Sequence, residues 1–215
     1  MKLSRLLAFV TVVALAASVQ AGSLEKRHQL GLKLGFWNQV TDVRSEVGIT
    51  SVTTSVESSG PAGAVVYGYW IQPNLALTVC AGSMMADVTS EVNVGTVTSE
   101  VAVVVRLMMG VKYHFLKSSL ESQVRPHLIV EVGPFIGSQT KEEVGLTVVT
   151  ESRSEMAIGS HLGAGTDFLL GRHFILGATV GYNLMTDFEQ PIGGSKNYSG
   201  PEFSISFAYI FGSGE

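Results

Sequence analysis

The last stretch before a short tail reads FSISFAYIF, in which Phe203, Ile205, Phe207, Tyr209 and Phe211 are separated by Ser204, Ser206, Ala208 and Ile210. Successive side chains of a β-strand point to opposite faces, so a large apolar residue at every second position predicts a strand with one apolar face. The same period of two predicts strands over residues 28–40, 63–72, 75–84, 101–116, 126–137, 156–170, 173–184 and 201–211. Most carry close to ten alternating residues, about the 9–11 that cross a bilayer as a tilted strand. No amphipathic helix is predicted after the first 21 residues. A helical membrane span needs roughly 18 unbroken apolar residues, and the nearest run, VAVVVRLMMGV from Val101, is interrupted by Arg106.

The connections alternate in length. Long segments, 41–62, 85–100, 138–155 and 185–200, follow the first, third, fifth and seventh strands; short ones, Pro73-Asn74, 117–125 and Gly171-Arg172, follow the even strands. Short turns at one end and long loops at the other are the layout of an outer-membrane barrel. A soluble sandwich has both ends in the same water and no reason to sort its loops. The long segments are also rich in strand formers, as in VGITSVTTSV (47–56), VTSEVNVGTVTSEV (88–101) and VGLTVVTESRSE (144–155). Strands one to six are therefore expected to run on past the membrane as hairpins that turn near Asn93-Val94-Gly95 and near Val144-Gly145.

Large apolar residues define one face of each strand, for example Leu30, Leu32, Leu34 and Phe36 on the first and Val103, Val105, Leu107, Met109 and Val111 on the fourth. The mid-strand charges Lys33, Arg106, Lys112, Glu131 and Asp167 all fall on the opposite face. Even odds for five charges would produce that about once in thirty. Eight strands close into a barrel whose interior side chains just fill. Such a lumen suits Gly, Ser, Thr and paired charges and is expected to have no room for many Leu, Phe, Tyr and Trp. The apolar face is then outward, against lipid. On it Tyr67, Tyr69, Tyr113, Phe115, Phe168, Tyr182, Phe203, Phe207, Tyr209 and Phe211, joined by Trp70, read as a lipid-facing aromatic girdle. Inside, Lys33, Arg106 and Lys112 nearly balance Glu131, Asp167 and Glu202. Balance points to a closed, ion-paired core, because a selective pore would favour one sign.

The N-terminus has its own pattern. Lys2 and Arg5 precede an almost unbroken apolar run from Leu6 to Ala17, and Val19-Gln20-Ala21 offers the small residues of a cleavage site. Residues 1–21 are expected to be a secretory signal and 22–215 one barrel domain. Without the signal the chain keeps 12 basic and 18 acidic residues, a net charge of −6, which argues against nucleic acid as a partner. The single Cys80 allows no internal disulfide.

Chemistry is sparse. His28, His114, His127, His161 and His173 are scattered, no metal-ligand spacing stands out, and His114, His161 and His173 fall on the inward side. Ser160 and His161 are adjacent and so point to opposite faces. The repeated TSEV pieces at Thr89 and Thr98 flank a hairpin tip, and KEEVG at 141–145 reads as a solvated loop tip.

The signal, the eight-strand meander, the segment GSHLGAGTDFLLGRHFILGATVGYNLMTDF (159–188) and the aromatic closing strand together resemble the small eight-stranded outer-membrane barrels of Gram-negative bacteria, the OmpA/OmpX/OmpW-like group. The resemblance covers the whole chain after the signal and implies an all-β, antiparallel, up-and-down transmembrane barrel in the outer membrane. It also implies that the closing strand is read by the barrel assembly machinery, although four residues follow Phe211 where many relatives stop. Barrels of this architecture that cut lipid acyl chains place His and Ser two residues apart on the lipid face, and no His here is followed by Ser at that spacing. The expectation is a monomeric, non-catalytic barrel without cofactors. Its role would be structural or adhesive, played through extracellular hairpins towards a surface protein. A narrow porin-like channel is the alternative, and a lipid-modifying enzyme ranks below it.

The loop alternation places 41–62, 85–100, 138–155 and 185–200 outside the cell. In a Cys80→Ala background, a membrane-impermeant maleimide should label Gly95→Cys on intact cells and spare Asn74→Cys. The reverse pattern would invert the topology.

Overall fold

The computed structural model of the chain describes residues 24–47, 50–93, 96–115, 123–144 and 148–212; the expected signal, 1–21, lies outside them. The strands are β1 (His28–Val47), β2 (Thr50–Gln72), β3 (Leu75–Asn93), β4 (Thr96–His114), β5 (Val124–Val144), β6 (Val148–Leu170), β7 (Phe174–Met185) and β8 (Gly200–Phe211). Each pairs with its neighbours in chain order and β8 returns to β1, giving a closed barrel. The seam is antiparallel and runs from His28↔Phe211 to Trp37↔Glu202.

β7 and β8 have 12 residues each, close to the span of a tilted membrane strand. β1 to β6 are longer because their ladders continue, as their Val- and Thr-rich sequences predict. The β1–β2 ladder runs on to Val47↔Thr50, β3–β4 to Asn93↔Thr96 and β5–β6 to Val144↔Val148. The turns joining them, 48–49, 94–95 and 145–147, lie outside the described residues. β3 takes one extra residue between Met85 and Asp87, just past its last pair with β2, Ala62↔Met84. A bulge bends its strand, and this one sits where β3 leaves its β2 neighbour.

The outer face is apolar and exposed, with Leu34 and Phe36 at 68% and Met109 at 64%. Its aromatics are unevenly distributed. Tyr67, Tyr69, Tyr113, Phe115, Phe174, Tyr209 and Phe211 gather at the short-turn end, with rings in contact such as Tyr113–Phe115 at 5.7 Å and Phe174–Tyr209 at 5.3 Å. Fewer stand near the other rim: Phe36 lies opposite Phe203 across the β1–β8 seam, and Tyr182 opposite Pro201.

The lumen corrects one expectation. It is not reserved for small residues and charges: Trp37, Trp70 and Phe135 are fully buried in it. Large rings fit because glycine and alanine stand beside them. A Cβ on Gly159 would come within 2.8 Å of the Phe135 ring, and one on Gly137 would lie 2.9 Å from Ile192 and 3.0 Å from Phe188. Trp70 belongs inside rather than to the girdle because it alternates with Tyr67 and Tyr69 and shares its side with Val66 and Gly68. His173 departs from its inward expectation too. It is exposed in the β7 turn and stacks on Tyr209 at 5.9 Å.

The interior is stratified. At the short-turn end Leu24, Trp70, Ala76, Leu169, Ile175 and Ile210 form an apolar floor. The segment before β1 reaches it through a turn at Lys26 (φ 61°), whose N–H donates to Trp70 O at 2.8 Å. At the long-loop end Trp37, Met84, Val104, Met108 and Phe135 form an apolar lid completed by Phe188, Ile192 and Tyr198. Those last three come from the β7–β8 connection, which turns through Gly193 and Gly194, both at positive φ, and folds back into the barrel mouth. Gln39 ties it to β1 by donating to Ser195 Oγ at 2.6 Å, and Gln139 ties it to β5 by accepting from Gly193 N–H at 3.0 Å.

Leu107 is outward and 46% exposed, whereas its neighbour Met108 is buried in the lid. Leu107→Arg should cost about 2–4 kcal/mol if it lies near the bilayer midplane, read by urea unfolding of the barrel in lipid vesicles. Met108→Arg should instead impair folding in detergent as well as in lipid, since it crowds the lumen. Unchanged stability of Leu107→Arg would reverse the two faces.

Candidate functional site

Between floor and lid lies a polar layer built from inward positions of every strand except β2. Its upper half centres on Glu202 of β8. Lys33 Nζ of β1 approaches Glu202 Oε1 at 3.0 Å, and the Arg106 guanidinium of β4 meets both carboxylate oxygens, Nη2 to Oε1 at 2.9 Å. Asn183 Nδ2 of β7 donates to Glu202 Oε2 at 2.9 Å, while Asn183 Oδ1 accepts from Arg106 at 3.0 Å. His161 Nδ1 of β6 completes the set, 2.9 Å from the same Asn183 Oδ1.

The lower half centres on Asp167 of β6. Lys112 Nζ lies 3.0 Å and 3.3 Å from its two oxygens, His114 Nε2 lies 3.0 Å from Oδ2, and His127 Nδ1 lies 3.5 Å from Oδ1. Beneath it His114 stacks on Trp70 at 4.9 Å, and the Arg125 guanidinium sits 5.0 Å over the Trp70 ring and donates to Pro73 O. Cation–π contact of this kind compensates a buried guanidinium in part. Glu131 of β5 stands between the halves and accepts from Thr78 Oγ1 at 2.9 Å. Beside it is a cavity of about 40 Å³ lined by Lys33, Lys112, Glu131, Cys80, Thr179 and others.

The five charges singled out by alternation, Lys33, Arg106, Lys112, Glu131 and Asp167, all reach the lumen and are at most 9% exposed. They do not form one network but two clusters, with Glu131 between them. Several partners escaped the sequence reading. Arg125, placed in a turn, shares the parity of His127, Ile129 and Glu131, so extending the alternation two residues back would have found it. Asn183 and Thr78 carried no charge to draw notice, and the convergence of His114 and His127 on Asp167 depends on the register of three strands.

Thr179 Oγ1 lies 3.3 Å from His127 Nε2, so Thr179, His127 and Asp167 have the atom types of a nucleophile, a base and an orienting acid. Floor and lid enclose them, and a cavity this size holds a few waters rather than a substrate.

A closed ring of eight antiparallel strands, an apolar exterior and an ion-paired lumen define the architecture, and the model of the outer membrane protein beta-barrel domain matches residues 7–211. The chain belongs to that family. It is a protein of the Gram-negative outer membrane. No curated protein matches it. Among solved structures it is similar to Ail, the attachment invasion locus protein of Yersinia pestis, with a TM-score of 0.50 and 12% identity over 87% of this chain and 99% of Ail. It is also similar to Neisserial surface protein A, with a TM-score of 0.48 and 14% identity over 90% of this chain and 100% of that one. OprG from Pseudomonas aeruginosa gives a TM-score of 0.45 and 12% identity over 89% of this chain and 100% of OprG. Identities this low speak to the fold alone.

Removing one partner of a buried ion pair strands the other charge, typically at 3–5 kcal/mol. Glu202→Gln leaves Lys33 and Arg106 without their carboxylate and should destabilise the refolded barrel by about that much in urea titrations. A loss below about 1 kcal/mol, the level of a surface pair, would mean that the Glu202 cluster is wetter than its burial indicates.

Proposed function

We propose that this barrel is closed and non-catalytic, and that it acts at the cell surface by pairing its protruding strands with a strand of another protein. The observation that carries this reading is the mismatch in ladder length. β3 is paired with β2 only as far as Ala62↔Met84, yet β3 and β4 stay paired to Asn93↔Thr96. On the other side β7 reaches only Gly159↔Met185, yet β5 and β6 stay paired to Val144↔Val148. Because β4 and β5 are paired up to Val97↔Val144, the four strands form one upright sheet. Among the described residues its outer edges, Met85–Asn93 and Val148–Ala157, have no strand partner.

An unpaired edge offers a row of N–H and C=O groups to an incoming strand. On β6 the edge carries Glu151, Arg153 and Glu155 at alternate positions. Charges there discourage indiscriminate pairing and favour a partner strand of complementary pattern. The stratified lumen supports a closed barrel: among the described residues, an apolar cluster lies at each end of the ion-paired layer. In the same reading residues 22–215 are the mature, monomeric barrel. Its girdle of Tyr67, Tyr69, Tyr113, Phe115, Tyr182, Phe203, Phe207, Tyr209 and Phe211 packs against lipid, and its terminal strand is the segment presented to the assembly machinery.

Cells producing the protein should adhere to surfaces coated with extracellular-matrix proteins. The double change Ser152→Pro and Ser154→Pro, which removes two edge N–H groups, should abolish adherence while the barrel still migrates as a folded species on unboiled gels. Equal adherence by both would rule out the β6 edge. Regular single-channel steps from the native barrel in planar bilayers would favour the channel instead.

A further inference from the structure

We propose that His114, His127 and Asp167 form a binding site for one divalent d-block cation, best matched by Zn²⁺, within the short-turn half of the barrel. The three residues stand on consecutive strands β4, β5 and β6, and each offers a ligand atom within 4.8 Å of the others. Exposure is 0%, 1% and 1%, so the group is held by a packed wall rather than by loops.

The spacing suits a small tetrahedral ion. Bonds of about 2.0–2.1 Å to nitrogen and carboxylate oxygen separate neighbouring ligand atoms by about 3.3–3.4 Å. His114 Nε2 lies 3.0 Å from one Asp167 oxygen and His127 Nδ1 lies 3.5 Å from the other. A second observation points the same way. His127 Nδ1, fully buried and directed at the carboxylate, makes no hydrogen bond. Its opposite nitrogen, Nε2, is hydrogen-bonded to Thr179 Oγ1 at 3.3 Å, the kind of outer contact that fixes the ring of a metal-binding histidine. Two imidazole nitrogens and one carboxylate oxygen form a donor set suited to zinc and its neighbours rather than to calcium or magnesium.

Lys112 already neutralises Asp167 and is the competitor for the site. Its ammonium borders the cavity of about 40 Å³, and the Glu131 carboxylate lies on the wall of that cavity. Loading is thus an exchange. The cation binds His114 Nε2, His127 Nδ1 and Asp167, a water takes the fourth position, the ring proton of His114 moves from Nε2 to Nδ1 so that the imidazole stays neutral, and Lys112 turns to Glu131. The apolar floor, with Trp70 and Leu24 fully buried, covers this end of the lumen, so the cation is captured as the barrel closes.

The test is refolding of the native chain in detergent with Zn²⁺, followed by gel filtration and elemental analysis of the folded fraction. One zinc per barrel is expected. His173→Gln, at an exposed histidine, should keep it; His127→Gln should lose it; and Lys112→Met should bind at least tenfold more tightly because the competing ammonium is gone. No zinc in the folded native barrel, or equal zinc in His127→Gln, would overturn the proposal. Should His127→Gln not fold, the native barrel refolded with Co²⁺ decides. An intense tetrahedral visible spectrum supports the site, and a pale octahedral one or none refutes it.

Discussion

Closure is the constraint on which everything else depends. Hydrocarbon offers no partner to a backbone N–H or C=O, so every strand crossing it must be paired on both sides. The β1–β8 seam, from His28↔Phe211 to Trp37↔Glu202, removes the two edges that an eight-stranded sheet would otherwise present to lipid. Once the ring is shut, eight strands define a lumen only as wide as its own side chains. Every inward residue then becomes a packing decision, and every outward residue a solvation decision.

The lumen answers with segregation rather than mixture. Apolar rings are collected at the two ends, and charges are gathered between them, where low dielectric makes each unmatched charge expensive. Glu202 is shared by Lys33 and Arg106, and Asp167 by Lys112 and two histidines. This ordering gives the polar layer no bulk water to lean on. It stabilises only if its partners are all present, so the clusters constrain register as well as charge: a one-residue slip of any strand would turn its contribution outward.

Beyond the membrane the same strands obey a different rule. Water can satisfy an open edge, so the ring no longer needs to stay complete. β7 and β8 stop, β2 parts from β3 beside the Met85–Asp87 bulge, and the β3–β6 sheet stands up with both edges free among the described residues. The long segments are also acidic in composition. The four long segments hold 12 of the 18 acidic residues of the chain but only four of its 14 basic ones.

The period-two pattern by itself determined the strand number, the two faces and the side on which Lys33, Arg106, Lys112, Glu131 and Asp167 lie, because alternation is a local property of extended backbone. It also contains the place of Trp70, whose parity with Val66 and Gly68 overrides its aromatic character. The hairpin extensions were legible for the same reason, as β-branched runs continue through them. What only the tertiary structure decided is which inward groups meet. The pairing of Arg106 with Glu202, the convergence of His114 and His127 on Asp167, and the seating of Phe188, Ile192 and Tyr198 in the mouth all join positions far apart in sequence. Those contacts depend on barrel closure and inter-strand stagger, and the β7–β8 connection that supplies the last three residues has no period to read. Alternation says which side a residue is on; only the closed ring says what stands across from it.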